Sequence, residues 1–397
     1  MAALIFIVAG GIATYYLLPR PPRVPLVNVV KSISFDGGAG GNDWAVGMFY
    51  DETNHLLFVS GCITVPGQGK DIFLAKYDED LNQIKNTTFQ GAGQNDDVGY
   101  VLTLGDPGML YVIGYVNVTN HRNDIWIAKY NYDLVVQKYT LIDGKAHGTD
   151  DGYGIIYRAG YLYVAGTVTE PDGGYNLFVA KYDTDLNQIK NYTFNGAGDG
   201  TDKARFLTFG PDGTLYVSGS ICQPDTGVDI WLGHFTTDLD LLDEAVVPGP
   251  MPGAEDKGFG LAFDSLGNLY TVGMKTESGQ GTNLWLGKFD SDLNLLDNVT
   301  FDGPAHGEDV AYDFVMLSDN VLLVAGVYSE TLGGPNAYLA EYTSDFRIIT
   351  SYTKDGSAHD YDVAYGPIWG PGGDIYVSGF LTEVSEGQNG WLTRIRV

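Results

Sequence analysis

Residues 71–93 read DIFLAKYDEDLNQIKNTTFQGAG, and residues 176–198 read NLFVAKYDTDLNQIKNYTFNGAG. Seventeen of the twenty-three positions are identical, although the stretches lie 105 residues apart. Two further landmarks show that this distance is two periods of a longer repeat. A hydrophobic run ending in glycine recurs at Gly61, Gly114, Gly166, Gly219, Gly273, Gly326 and Gly379, with spacings of 53, 52, 53, 54, 53 and 53. About a dozen residues further on, a second run recurs as DIFLAKY from Asp71, DIWIAKY from Asp124, NLFVAKY from Asn176 and DIWLGHF from Asp229. It continues as NLWLGKF from Asn283, NAYLAEY from Asn336 and NGWLTRI from Asn389. The chain is therefore seven copies of a unit of about 53 residues.

Each unit holds four strand-sized runs rich in Tyr, Phe, Trp, Val, Ile and Leu, which suits a pleated, mostly buried sheet. Turn signals such as Gly-Pro-Asp-Gly at 210–213 separate them. Four strands at a period near 50 predict the blades of a β-propeller. The seventh unit stops after its third strand, while Leu26–Phe35 (LVNVVKSISF) reads like the fourth-strand text LNQIKNTTF of residues 81–89. The N-terminal strand is thus expected to complete the last blade, close the ring and hide the sheet edges. The fold class is all-β: a seven-bladed propeller of four-stranded blades over 26–397.

A hydrophobic N-terminal helix is expected before it. Residues 1–18, MAALIFIVAGGIATYYLL, carry no charge and as a helix would span roughly 27 Å, enough for a hydrocarbon core. Residues 19–25, PRPPRVP, form a stiff spacer. An uncleaved anchor or assembly helix, a signal peptide and a buried core helix all fit this stretch. Arg20 and Arg23 lie on the propeller side with nothing basic ahead of the helix. The positive-inside tendency would leave a membrane-anchored propeller in the cytoplasm, a conflict that a helix packed in an assembly avoids.

These features resemble the seven-bladed β-propeller repeat family of bacterial and archaeal surface proteins, on the G-x-x-x-D approach to the first strand, the YVSG strand end and the DI[FW]-x-AKY strand. The apolar N-terminus is similar in character to the N-terminal helix of type IV pilins. The resemblance implies the fold and a cell-surface setting but specifies no activity, since propellers host enzymes and scaffolds alike.

Composition narrows the partners. With 22 Lys and Arg against 50 Asp and Glu, the net charge is −28; such a surface repels phosphate backbones, and no nucleic acid is expected. Cys62 and Cys222 fall in the first and fourth units, too far apart around a ring to form a disulfide. Sequons at Asn86, Asn117, Asn191 and Asn298, three of them on the predicted outermost strand, favour an exported, extracellular protein able to carry glycans.

One carboxylate per unit precedes the innermost strand: Asp43, Asp96, Asp150, Asp202, Asp256, Asp309 and Asp362. They either ring one mouth of the channel, where they would attract cations, or cap the turn into each strand, and their regularity favours the cap. His147, His306 and His359 precede three of them and read as polar loop residues in preference to metal ligands. The Asp-x-Asp-x-Asn runs from Asp78, Asp183 and Asp290 lack the glycine and glutamate of a calcium loop and predict hairpin turns. Trp126, Trp231, Trp285 and Trp391 recur mid-strand, as packing residues would. No nucleophile elbow, phosphate-binding loop or other catalytic motif is present, and no cofactor or metal is expected. The most irregular stretch is PGPMPGAED at 248–256.

The expectation is therefore a non-catalytic surface protein. It would be a subunit of a surface assembly or filament, self-associating through its N-terminal segment or propeller rim, or an adhesion module in contact with a membrane. The alternatives are a glycan-binding propeller and a propeller hydrolase or lyase with its site at the channel mouth.

Overall fold

The computed structural model describes residues 28–396, apart from 94, 119–121, 172–173, 199 and 332, together with the backbone of Leu4–Ala9 and Ile12–Leu17. Where the helix over 1–18 is expected, the described backbone pairs Leu4–Ala9 antiparallel with Ile12–Leu17; the rest of that stretch, its pilin-like character and the spacer over 19–25 lie outside the described residues. Seven antiparallel sheets follow one another along the chain, each with its strands in sequence order from the channel outward. The seventh takes its outermost strand from the other end of the chain: Asn28–Phe35 pairs with Gly387–Arg396, with Ser34 opposite Trp391 and Phe35 opposite Gly390. The only helical turn among the described residues is a single one at Pro371–Gly373.

Burial follows strand order. The third strands are covered on both faces by neighbouring blades, which is why IFLAKY-type text runs continuously apolar instead of alternating. The outermost strands face solvent and keep alternation. Hydrophobic clusters span adjacent blades: Ile125 and Ile127 of the second pack with Leu162, Val164 and Phe178 of the third. The recurrent Trp126, Trp231, Trp285 and Trp391 sit inside such interfaces, at most 3% exposed.

Two recurrent sequence features have direct steric causes. A Cβ on Gly326 would stand 1.9 Å from the Val310 carbonyl oxygen, and one on Gly219 would stand 1.9 Å from that of Lys203. The inner strand bulges against its neighbour there, and only glycine allows the approach. The Asp-x-Asp-x-Asn runs are hairpin turns. In the first, Asp78 Oδ1 accepts from the amides of Asp80 (3.0 Å) and Asn82 (2.8 Å). This lets Leu81 adopt φ 55° and bury its side chain; Leu134, Leu186, Leu239 and Leu293 repeat the arrangement.

Candidate functional site at the channel mouth

The recurrent aspartates sit between the blades, at most 1% exposed, so they do not form a solvent-facing ring. Each reaches back six residues and forward about twenty. Asp309 accepts from the amides of Gly303 and Ser329, both at 2.6 Å. Asp362 does so from Gly356 (2.7 Å) and Thr382 (2.6 Å). Asp43, Asp150 and Asp202 repeat the pattern, and Asp256 keeps the forward bond to Thr276. In the second blade the position belongs to Asp97, which binds Gly91 and Asn117, both at 2.6 Å. Asp96 is corrected accordingly: it is an exposed partner of Lys70 Nζ at 3.0 Å. Burial pushes Asp43, Asp97, Asp256 and Asp362 up to about 6, while the amide donors pull the other way.

These buried aspartates fix the register of the inner strands, which can therefore be compared position by position. Three residues after each aspartate, the side chains face the central cavity: Val46, Tyr100, Tyr153, Arg205, Phe259, Tyr312 and Tyr365. Most touch their neighbours. Ring centroids are 5.4 Å apart for Tyr100 and Tyr153, 5.3 Å for Phe259 and Tyr312, and 5.6 Å for Tyr312 and Tyr365. Arg205 lies between two aromatic faces, 5.3 Å from the Tyr153 ring and 5.0 Å from that of Phe259. Together they line a cavity of about 490 Å³.

Arg205 is 9% exposed, and its Nε has no hydrogen-bond partner among the described residues. No carboxylate pairs with it there, and burial pulls its guanidinium below the ordinary value. A buried cation is costly unless something compensates it. An arginine sandwiched by aromatics, with no carboxylate partner among the described residues, is chemically suited to take up an anion.

The residue directly after each aspartate varies between blades, and in the third, fourth and fifth it lines a pocket beside this ring. It is Trp44, Val98, Val310 and Val363 in four blades, but Asp151, Lys203 and Lys257 in the third, fourth and fifth. Lys203 Nζ donates to Tyr153 Oη at 2.7 Å, and Tyr153 Oη donates to Asp151 Oδ2 at 3.0 Å. Lys257 pairs with Glu255 at 2.5 Å. The irregular stretch at 248–256 brings Glu255 there: Ala254 and Glu255 pair in parallel with Gly227 and Val228. Desolvation, helped by Arg205, pulls the Lys203 ammonium down to about 8. Burial and the Asp151 carboxylate hold the Tyr153 phenol well above its ordinary value. A pocket of about 300 Å³ between these side chains reaches down to Arg205. Deeper in the cavity, Asp313 faces Gly260 and Gly366 of the flanking blades, and burial pushes it up to about 7.

None of these residues is among the expected site residues. The signal for them is the only inner strand with two basic residues, DKARF at 202–206. Of the sequons, Asn86, Asn191 and Asn298 are exposed on outermost strands. Asn117 is 9% exposed, and its side-chain amide donates to the Arg122 carbonyl.

No family model and no curated protein matches the chain. Solved structures do. An ulvan lyase, a polysaccharide lyase, is 12% identical over 90% of this chain and 95% of its own, with a TM-score of 0.58. The periplasmic gluconolactonase PpgL of Pseudomonas aeruginosa is 14% identical over 86% and 96%, with a TM-score of 0.49. A protein of unknown function from Bacteroides caccae is 13% identical over 64% and 79%, with a TM-score of 0.42. The likeness to the lyase establishes the propeller fold. It also corrects the expectation of a chain without enzymatic activity: a solved structure of this same fold is an enzyme, so the fold lends that expectation no support.

Proposed function

We propose that the chain is a lyase that cleaves an anionic, uronate-bearing polysaccharide at the channel mouth over blades three to five. The reading rests on one observation: the inner strands of a chain of net charge −28 hold Lys203, Arg205 and Lys257 together beside a lysine-bonded tyrosine. The ulvan lyase contributes the shared fold and no more.

Elimination from a uronate needs three groups, and the site supplies a candidate for each. Arg205 and Lys257 receive the sugar carboxylate, and Arg205 offsets the negative charge that builds on it as the adjacent C–H bond breaks. Lys203, with its ammonium pulled down to about 8, holds a usable fraction of free amine near neutrality and takes that proton. Tyr153, kept protonated and oriented by Asp151, gives its proton to the departing glycosidic oxygen. One C–H and one C–O bond break, a carbon–carbon double bond forms, and Lys203 then returns its proton to Tyr153 across their 2.7 Å hydrogen bond. No co-reactant is consumed. Substrates of this class are matrix polysaccharides, in keeping with export and with sequons on the outer strands.

The test is incubation with ulvan, pectate, alginate and glycosaminoglycans, reading ultraviolet absorbance of unsaturated ends alongside total reducing ends. Absorbance that appears with the wild type and falls about 10³-fold in Lys203→Met supports the reading. Reducing ends without unsaturation would make the site a hydrolase. Binding without either product on every substrate would make it a lectin.

A further inference from the structure

The buried aspartates have a second consequence, independent of the channel site. The backbone pairs the start of each third strand with the approach to the next blade: Thr282 bridges Glu308, and the Asp362 amide donates to Pro335 O at 2.9 Å. Asn283 therefore stands beside Asp309, and Asn336 beside Asp362. The loop residue before the bound glycine, Asp302 or Asp355, completes a set of three.

In both sets the oxygens are short of partners. Asn283 and Asn336 are 1% and 4% exposed, and neither Oδ1 accepts a hydrogen bond. His306 Nδ1 lies 2.6 Å from Asp302 Oδ2, and His359 Nδ1 lies 2.6 Å from Asp355 Oδ2. The other oxygen of each aspartate, Oδ1, is buried with no partner. Each interface thus presents two orphaned oxygens next to a buried carboxylate. At the matching interface of blades two and three, ligand oxygens of Asp124, Asp143 and Asp150 lie within 4.8 Å of one another. Oxygens that share a Ca²⁺ at about 2.3–2.6 Å stand up to about 5 Å apart.

The molecule carries its own control. Between blades four and five the loop residue is Pro248, which has no carboxylate. There Lys275 is buried, 7% exposed, with its Nζ on Pro248 O at 2.9 Å, in the field of Asp256 and Asp229. The other six blades have Ile63, Val116, Val168, Ile221, Tyr328 and Leu381 at that position. An ammonium occupies the one interface where the acidic loop residue gives way to proline and the lysine is present.

We propose that the interfaces between blades two and three, five and six, and six and seven each bind a hard divalent cation, Ca²⁺, which ties neighbouring blades together. The donors are all oxygen, which selects Ca²⁺ over softer metals. Their spacing suits it better than the smaller Mg²⁺.

The experiment uses the full chain, stripped with chelator and titrated with CaCl₂ by calorimetry, with Tm followed in parallel. Three ions per chain and a higher Tm are expected, with no comparable effect from MgCl₂. Asp302→Ser and Asp355→Ser change loop residues that take no part in anchoring the inner strands, so the blades should still form. Each should remove one ion, and the double variant two. A folded, stripped chain that takes up no Ca²⁺ overturns the proposal. So does unchanged stoichiometry in the double variant, which would assign the binding to scattered surface carboxylates.

Discussion

Blades three to five and blades six, seven, one and two meet the channel through the same backbone. A buried aspartate anchors each inner strand, a small residue follows two places later, and the third side chain enters the cavity. The difference lies in the first residue after the anchor. On one side it is Asp151, Lys203 or Lys257, and on the other Val310, Val363, Trp44 or Val98. The repeat therefore fixes where a side chain points and leaves open what chemistry it brings. In a seven-fold scaffold, departures from the repeat mark a site, while regularity marks structure.

The largest effect should come from breaking what both halves share. Gly326 is far from the cation cluster, yet its Cβ would fall 1.9 Å from the Val310 carbonyl, and backbone cannot yield as a flexible side chain does. Gly326→Val should cost more than about 4 kcal/mol, seen as loss of the cooperative transition in denaturant. Gly219→Val, beside the site, should cost the same, because the cause is the repeat and not the chemistry.

Breaking only one half separates the two kinds of residue. Lys203→Met keeps the length of the side chain and removes a charge that desolvation already disfavours. Uronate cleavage should fall about 10³-fold while Tm stays level or rises, which an effect through unfolding would not give. The pH profile carries the same signature. The folded value of about 8 lies below the ordinary 10.5, so the ammonium dominates below pH 8 and the free amine above it. The rate should climb through pH 8 and level off. Arg205 and Lys257 hold that value down, Asp151 and Glu255 oppose them, and Tyr153 accepts the Lys203 hydrogen bond.

Arg205→Met takes the comparison further. The guanidinium lies without a carboxylate between two rings, and methionine would fill the slot without the burden of a buried charge. Stability should rise by about 1 kcal/mol in urea titrations, while kcat/KM drops about 100-fold.

The sequence reveals the shared half far better than the distinctive one. Blade number, closure by Asn28–Phe35 and the hairpin turns all come from local text, because each depends on residues adjacent in the chain or repeated along it. One anchor is ambiguous in the text. Asp96 and Asp97 adjoin, the first lies 53 residues after Asp43 and the second 53 before Asp150, so spacing selects neither, and only the hydrogen bonds to Gly91 and Asn117 identify the second. The cation cluster is written plainly as DKARF and EDK. However, a tyrosine facing a channel and one facing a core look alike in sequence, so nothing local tells that Tyr153, Lys203 and Arg205 share a cavity. The partnerless oxygens of Asn283 and Asn336 are hidden for the same reason: their surroundings come from the next blade.

The smallest effect should come from Lys257, and its size sharpens the division of roles. Its ammonium already has a partner in Glu255 at 2.5 Å, and both side chains are partly exposed, at 25% and 60%. Solvent screens such a pair, and exposed pairs are worth about 0.2–1 kcal/mol. Lys257→Ala should therefore leave Tm within a degree or two. Its contribution to a substrate carboxylate is uniform binding, equal in ground and transition states, so KM should rise about three- to tenfold with kcat unchanged. A fall in kcat comparable to that of Lys203→Met would instead place Lys257 at the breaking bond. The base would then have to be sought on the fifth blade and not the fourth.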